Sequence, residues 1–372
     1  RRARAARRVM EAAGDTVQGP APGCSGTVDL ASARAELSIS LAGGCLTAFR
    51  LPGQALNPLG WDSAVHDGLD PAAAAPRPRG HFLCLDRWGP PSEAEEAGGM
   101  GYHGEASAVH WSLLGPRGPG AVSMGASLPM AGLEVQRDVR LAQDSAVAMV
   151  TEHVTNIHKL GRIYNMVQHP SIAAPFLDET TLVDCNGRRG FAQGPNRTFS
   201  AAPDAPTFEF PSTINRDGEQ ANARHMTGGS DDVQSYEVEP GSSVGWVCAT
   251  NAKLGLLIGY VWSTADYPWI SLWCCSRDGV PCARGIEFGT TGLHQPFPIL
   301  VQHPRLLGLP TFEHLDAGER RSRTYAAFLL RTPEDFRGVD SLRVSSVGLV
   351  LQERDAGREF TVACEDLRHL LP

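Results

Sequence analysis

Glu287 stands in Cys282-Ala-Arg-Gly-Ile-Glu287-Phe-Gly-Thr-Thr, a single acidic residue inside an apolar, Gly-flanked strand. A carboxylate in that setting either bears the cost of burial or belongs to a pocket that uses it. Ala283, Ile286 and Phe288 would desolvate it, the condition under which a carboxylate can serve as a general base near neutrality. The bland alternative is an ion pair with Arg284. Two histidines occupy comparable settings upstream, in Gly101-Tyr-His103-Gly104-Glu and in Gln168-His169-Pro-Ser. Gly101 and Gly104 allow a close backbone or ligand approach at His103, whose structural alternative is a turn cap. His169 ends an apolar alternation just before a proline, which predicts a strand end opening into a loop. A buried, satisfied core histidine is the alternative there. One carboxylate and two imidazoles from three distant strands make a plausible acid/base site.

The elements that must hold these residues are strands. Short alternating runs begin at Thr27-Val-Asp-Leu and continue through Leu133-Glu-Val-Gln-Arg-Asp-Val-Arg-Leu, Val244-Gly-Trp-Val-Cys and Leu254-Gly-Leu-Leu-Ile-Gly-Tyr. Val109-His-Trp-Ser-Leu-Leu reads as one more. Helix signals are few: Thr332-Pro-Glu-Asp-Phe-Arg has a cap and a first-turn proline, and Glu365-Asp-Leu-Arg-His-Leu-Leu closes the chain. Strands do not alternate with helices, which excludes a doubly wound or barrel sheet. The expected fold is all-β, one large antiparallel β-sandwich over 27–372 behind a tail or short helix over 1–26. Polar, Gly/Pro-rich stretches at 67–80, 89–101, 187–206 and 217–232 read as long loops.

The chain has 372 residues and a formal net charge of −8, which offers no nucleic-acid footprint. No apolar run is long enough for a membrane span. The Arg-rich start lacks the apolar segment of an export signal, leaving export as the lesser alternative to a cytoplasmic location. Nine scattered cysteines read as reduced, buried thiols. Cys274-Cys275 with Cys282 could suggest a metal or redox site, but adjacent strand residues point to opposite faces, so packing is the preferred reading and no metal or other cofactor is expected. Phosphate loops, dinucleotide fingerprints, zinc-protease motifs and nucleophile elbows are absent. Thr290, Thr291 and His294 are polar neighbours of Glu287 that could touch a ligand. Trp88, Trp111, Trp262, Tyr267, Trp269 and Trp273 fall near the candidate strands, and one or two of them could stack on a sugar ring. Asn196-Arg-Thr198 matches a glycosylation acceptor.

In their order the segments resemble the galactose mutarotase-like proteins, the aldose 1-epimerase group, over about Thr27 to Leu330. The marks are Gly43-Gly44, His103-Gly104 leading to Trp111, Thr155-Asn156, Gln168-His169-Pro170, Gly285-Ile-Glu287-Phe-Gly, and Leu315-Asp-Ala-Gly318-Glu319 ahead of Thr324-Tyr325. The resemblance implies an antiparallel super-sandwich acting on a small-molecule sugar. It assigns His169 as the acid toward the ring oxygen, Glu287 as the base on the anomeric hydroxyl, and His103 as a substrate-holding group. Glu105-Ala-Ser stands where the family often has an arginine. Asp232 is the candidate for the family's ligand-binding aspartate, with Trp88 and Arg87 as further substrate contacts. The expected activity is aldose 1-epimerisation. The alternatives are a non-catalytic carbohydrate-binding protein and a sugar-phosphate 1-epimerase, the latter needing Arg87, Arg137 or Arg284 in the cleft.

Overall fold

The computed structural model describes residues 26–72, 75–116, 118–193, 206–228 and 231–370. The tail expected over 1–26 lies outside them except for Gly26, and so does the Asn196 motif. No helix among the described residues is long and apolar enough to cross a membrane.

Alternation in the sequence becomes alternation in burial. Leu133–Leu141 buries Leu133, Val135, Arg137, Val139 and Leu141 on one face and turns Glu134 and Arg140 outward. Such strands build two antiparallel sheets, one of eleven strands and one of eight. Their inner faces meet in one core, where Leu272, Ile286 and Phe288 of the larger sheet pack against Tyr260, Trp262 and Tyr325 of the smaller. Phe288 stacks on Trp262 with ring centroids 4.1 Å apart.

The outer face of the smaller sheet is also apolar and is covered. Trp246 and Phe328 pack against Phe336, Leu342, Leu349 and Leu351. The last three of these lie in a three-stranded sheet of Val339–Ser345, Gly348–Glu353 and Glu359–Ala363. Burial on both sides explains why Leu256–Ser263 reads as an unbroken apolar run rather than an alternation. The outer face of the larger sheet carries the candidate site.

Several local expectations change. The Thr332 segment is a turn, not a helix: Phe336 must drop into the outer core between the strands Arg320–Arg331 and Val339–Ser345. The close of the chain, Glu365–Leu370, is a 3₁₀ helix. The loop expected over 187–206 begins as a strand, Gly187–Gln193. Ser112–Leu113 is all that forms of the strand expected from Val109. Inside the loop expected over 89–101 lies a short helix, Glu93–Ala97, closed by a capping box between Ser92 and Glu95.

Candidate active site

The site is built on one rung of the larger sheet. Phe82 of His81–Asp86 pairs with His169 of Arg162–Ile172. Gly285 pairs with Ser171, and Phe288 with Gln168, which places Glu287 of Val280–Gly289 opposite His169. Glu287 in turn pairs with Ser271, and Ser271 with Ser235. Residues sharing a rung point to one face, so three distant parts of the sequence meet there. His169 therefore stands inside its strand and not at an end; pairing continues past Pro170 to Ile172.

His169 Nε2 lies 3.3 Å from Glu287 Oε1. Two lone pairs facing each other at that distance would repel, so one proton lies between them. On the other side of the ring, Nδ1 is 3.0 Å from Ser171 Oγ. Phe82 stacks on the imidazole at 4.2 Å. The Trp88 indole N–H donates to Glu287 Oε2 at 2.7 Å and fixes the carboxyl group's orientation. Gly285 precedes Glu287 on the same face, and a Cβ there would lie 2.5 Å from Oε1 and 3.1 Å from Trp273 Cβ. The glycine of Gly285-Ile-Glu287 thus makes room for the carboxylate. Arg284, the partner expected for a merely structural Glu287, points to the opposite face and binds the backbone carbonyls of His225 and Ala223.

His103 reaches the same cleft from a loop. It adopts φ 65°, followed by Gly104 at φ 77°, whose Cβ would collide with the Leu85 carbonyl. Its backbone N–H donates to the Gly89 carbonyl at 3.0 Å, and the Gly89 N–H donates to His103 Nδ1 at 3.2 Å. That bond leaves the imidazole proton on Nε2. The His103 and His169 rings are 5.3 Å apart.

These groups line a cleft of about 410 Å³, a size suited to a small molecule. Trp61, Trp88 and Trp273 contribute its aromatic walls; His66, Asp67, Tyr102, Asp231 and His294 complete much of its polar lining. Of the tryptophans and tyrosine singled out in the sequence, Trp111, Trp262, Tyr267 and Trp269 are buried elsewhere. Thr290 and Thr291 are buried beside the cleft without lining it; the Met166 N–H donates to Thr290 Oγ1.

Two of the expected substrate contacts lie elsewhere. Asp232 pairs with Cys274 on the opposite face from Trp273, and accepts from the Arg216 N–H at 2.7 Å and from the Thr227 hydroxyl. The adjacent Asp231 lines the cleft and accepts from the Trp273 indole N–H at 2.6 Å. Arg87 is buried in ion pairs with Asp86 at 2.7 Å and Glu95 at 2.8 Å. Trp61 and His66 escape sequence reading because no strand pattern fixes them; tertiary docking of residues 51–72 brings them in.

Burial sets the protonation of the histidines. It pushes His103 down to about 3 and His169 well below 6.5, with His103 adding to the effect on His169. His81, in a strand of the same sheet, is also lowered to about 3 by burial. All three are neutral in the fold and would take up protons once unfolded, so the unfolded chain binds more protons below its ordinary histidine pKa. Stability is therefore full above about pH 6.5 and falls as pH drops below it, by up to about 1.4 kcal/mol per pH unit for each histidine. Urea unfolding at about pH 7 and pH 5 measures this, and His81→Phe should flatten the dependence.

The sequence matches no protein-family model and no curated protein sequence; the likeness is carried by structure. The Slr1438 protein of Synechocystis sp. PCC 6803 superposes with a TM-score of 0.58 at 13% identity, over 84% of this chain and 98% of that one. A galactose mutarotase-like protein from Lactobacillus casei ATCC 334 gives 0.57 at 12% identity, over 82% and 100%. A galactose mutarotase related enzyme from Lactobacillus acidophilus gives 0.57 at 12%, over 83% and 98%. The chain thus has the galactose mutarotase-like β-sandwich fold, as the resemblance in its sequence implied.

Proposed function

We propose that the cleft binds a neutral sugar and interconverts its anomers, with Glu287 and His169 as the proton-transferring pair. The observation that carries this reading is the Glu287–His169 contact at 3.3 Å on the floor of an aromatic-walled cleft. Opening a cyclic hemiacetal removes a proton from the anomeric hydroxyl and delivers one to the ring oxygen. Both oxygens are bonded to the same carbon, so acid and base must be neighbours, not groups facing each other across a gap. In the reactive form the single proton between the pair sits on His169, leaving Glu287 ionised. Glu287 takes the hydroxyl proton while His169 gives its own to the ring oxygen as the carbon–oxygen bond breaks. The pair is then neutral Glu287 and neutral His169. Rotation about the C1–C2 bond presents the other carbonyl face, and ring closure runs the same transfers in reverse. Burial of both groups suits such a cycle, because the pair has zero net charge in both states.

A neutral sugar is favoured over a phosphorylated one. No arginine or lysine among the described residues lines the cleft, while Asp67, Asp231 and Glu287 do. Arg137 is bound to Glu152 at 2.6 Å, and Arg87 and Arg284 are engaged as described. The test is anomer interconversion followed by proton NMR on freshly dissolved sugars from a broad panel. Acceleration of at least one free sugar is expected. Binding without acceleration across the panel would make the protein a sugar-binding module, and response to phosphorylated sugars alone would overturn the neutral-sugar assignment.

Gly285→Ala provides an independent check. The new methyl group must displace Oε1 by about 1 Å, and a misplacement of that size can cost on the order of 10²-fold in rate. Turnover should fall accordingly with sugar affinity largely kept, read as a drop in kcat at similar KM.

A further inference from the structure

Cys275 and Cys282 face each other across the hairpin of Trp269–Arg277 and Val280–Gly289, their sulfurs 3.1 Å apart. The pairing that creates this contact is irregular. Cys275 pairs with Ala283, and the next pair is Ser276 with Pro281, so Cys282 is the extra residue of a β-bulge. In an unbroken ladder Cys282 would oppose Ser276 and point away from Cys275; the bulge turns it back. Cys274, meanwhile, faces the other side of the sheet, within 2.8 Å of Arg284 Nη1. Cys274 and Cys275 thus point to opposite faces, as expected of adjacent strand residues, and it is Cys282 and not Cys274 that joins Cys275.

A third donor comes from a separate element. His66 ends the short helix Ser63–His66, and its ring is held between Trp61, at 5.8 Å, and Trp273, at 5.5 Å. One of its nitrogens and the two sulfurs all lie within 4.8 Å of one another. A disulfide would account for the sulfurs and leave the imidazole unexplained. Two thiolates and an imidazole are instead the donor set of a tetrahedral zinc ion, with bonds of about 2.3 Å to sulfur and 2.0–2.1 Å to nitrogen. Those bond lengths at tetrahedral angles require donor separations of about 3.5–3.8 Å. Small side-chain rotations would reach them from the present geometry.

We propose that His66, Cys275 and Cys282 form a zinc site at the rim of the cleft, with the fourth position left to water or to an oxygen of the bound ligand. Each thiol gives its proton to solvent when it ligates the metal. Zinc would fasten the His66 segment, and with it one wall of the cleft, to the hairpin that carries Glu287. This site stands whether or not the cleft acts on sugars.

The full chain, reduced and stripped with a chelator, is titrated with Co²⁺ and then with Zn²⁺. The expected result is one Co²⁺ per chain, with a near-ultraviolet thiolate-to-metal band and the intense visible bands of tetrahedral geometry, all bleached by Zn²⁺. Cys282→Ser and His66→Ala, both at half-buried positions that folding should tolerate, are expected to weaken binding by at least about 100-fold. Absence of the thiolate band in the reduced protein, or its persistence at full affinity in both variants, would overturn the site. So would a Cys275–Cys282 disulfide, seen as a two-dalton mass loss, whose reduced form shows no thiolate band with Co²⁺.

Discussion

Glu287→Gln is expected to lower anomer interconversion by about 10²–10⁴-fold, the range for loss of a positioned general base. Folding should be unaffected. The amide keeps the volume of the carboxylate, its oxygen can accept from Trp88 Nε1, and its nitrogen can donate to His169 Nε2 in place of the shared proton. The buried rung therefore stays satisfied while the group that takes the hydroxyl proton is gone. His169→Asn should cost a similar factor, and the double variant little more than either single one, because two groups passing one proton act as a unit. Sugar binding, read from line broadening, should survive in Glu287→Gln. Undiminished interconversion in that variant, with native-like circular dichroism, would remove Glu287 from the role assigned here.

The parts of the site that were legible in the sequence are those fixed by strand alternation. A glutamate between Ile286 and Phe288, and a histidine two residues after Val167, break apolar runs on strands whose opposite faces are core. Alternation alone does not set the phase of a strand that begins in a polar stretch. Ser230-Asp-Asp-Val offers two adjacent aspartates; register with Trp269–Arg277 turns Asp232 away from the cleft, while Asp231, just outside the strand at φ 76°, lines it. Arg87 was misleading for a different reason. Its partner Glu95 sits in a capped helix within a stretch that composition marks only as loop, and the pairing is tertiary. Trp61 and His66 carry no local signal, since their place depends on how residues 51–72 fold back over the sheet. Cys282 stood out beside Cys274 and Cys275, but its turn toward Cys275 comes from a bulge, a one-residue irregularity that period-two reasoning cannot foresee.

Arg137→Met is expected to be among the most destabilising single changes in the core, by about 3–5 kcal/mol. Arg137 lies in the smaller sheet and is buried, with Nε 2.7 Å from Glu152 Oε1 and Nη1 on the Gly44 carbonyl. Its guanidinium sits 4.6 Å from the Trp111 ring. The far oxygen of Glu152 accepts from Gln168 Nε2, which also reaches Tyr267 Oη at 3.1 Å, while Gln168 Oε1 is 3.1 Å from His81 Nε2. This polar seam joins the two sheets directly beneath the rung that carries His169. Methionine fills the space but leaves the Glu152 carboxylate without that arginine's charge in a dry core. Urea unfolding should show the midpoint falling with the slope unchanged. Arg137→Met combined with Glu152→Gln should recover much of the loss, because removing both charges also removes the uncompensated one. A single variant within about 0.5 kcal/mol of the native protein, the range typical of surface substitutions, would show that the seam is not what holds the two sheets together beneath the site.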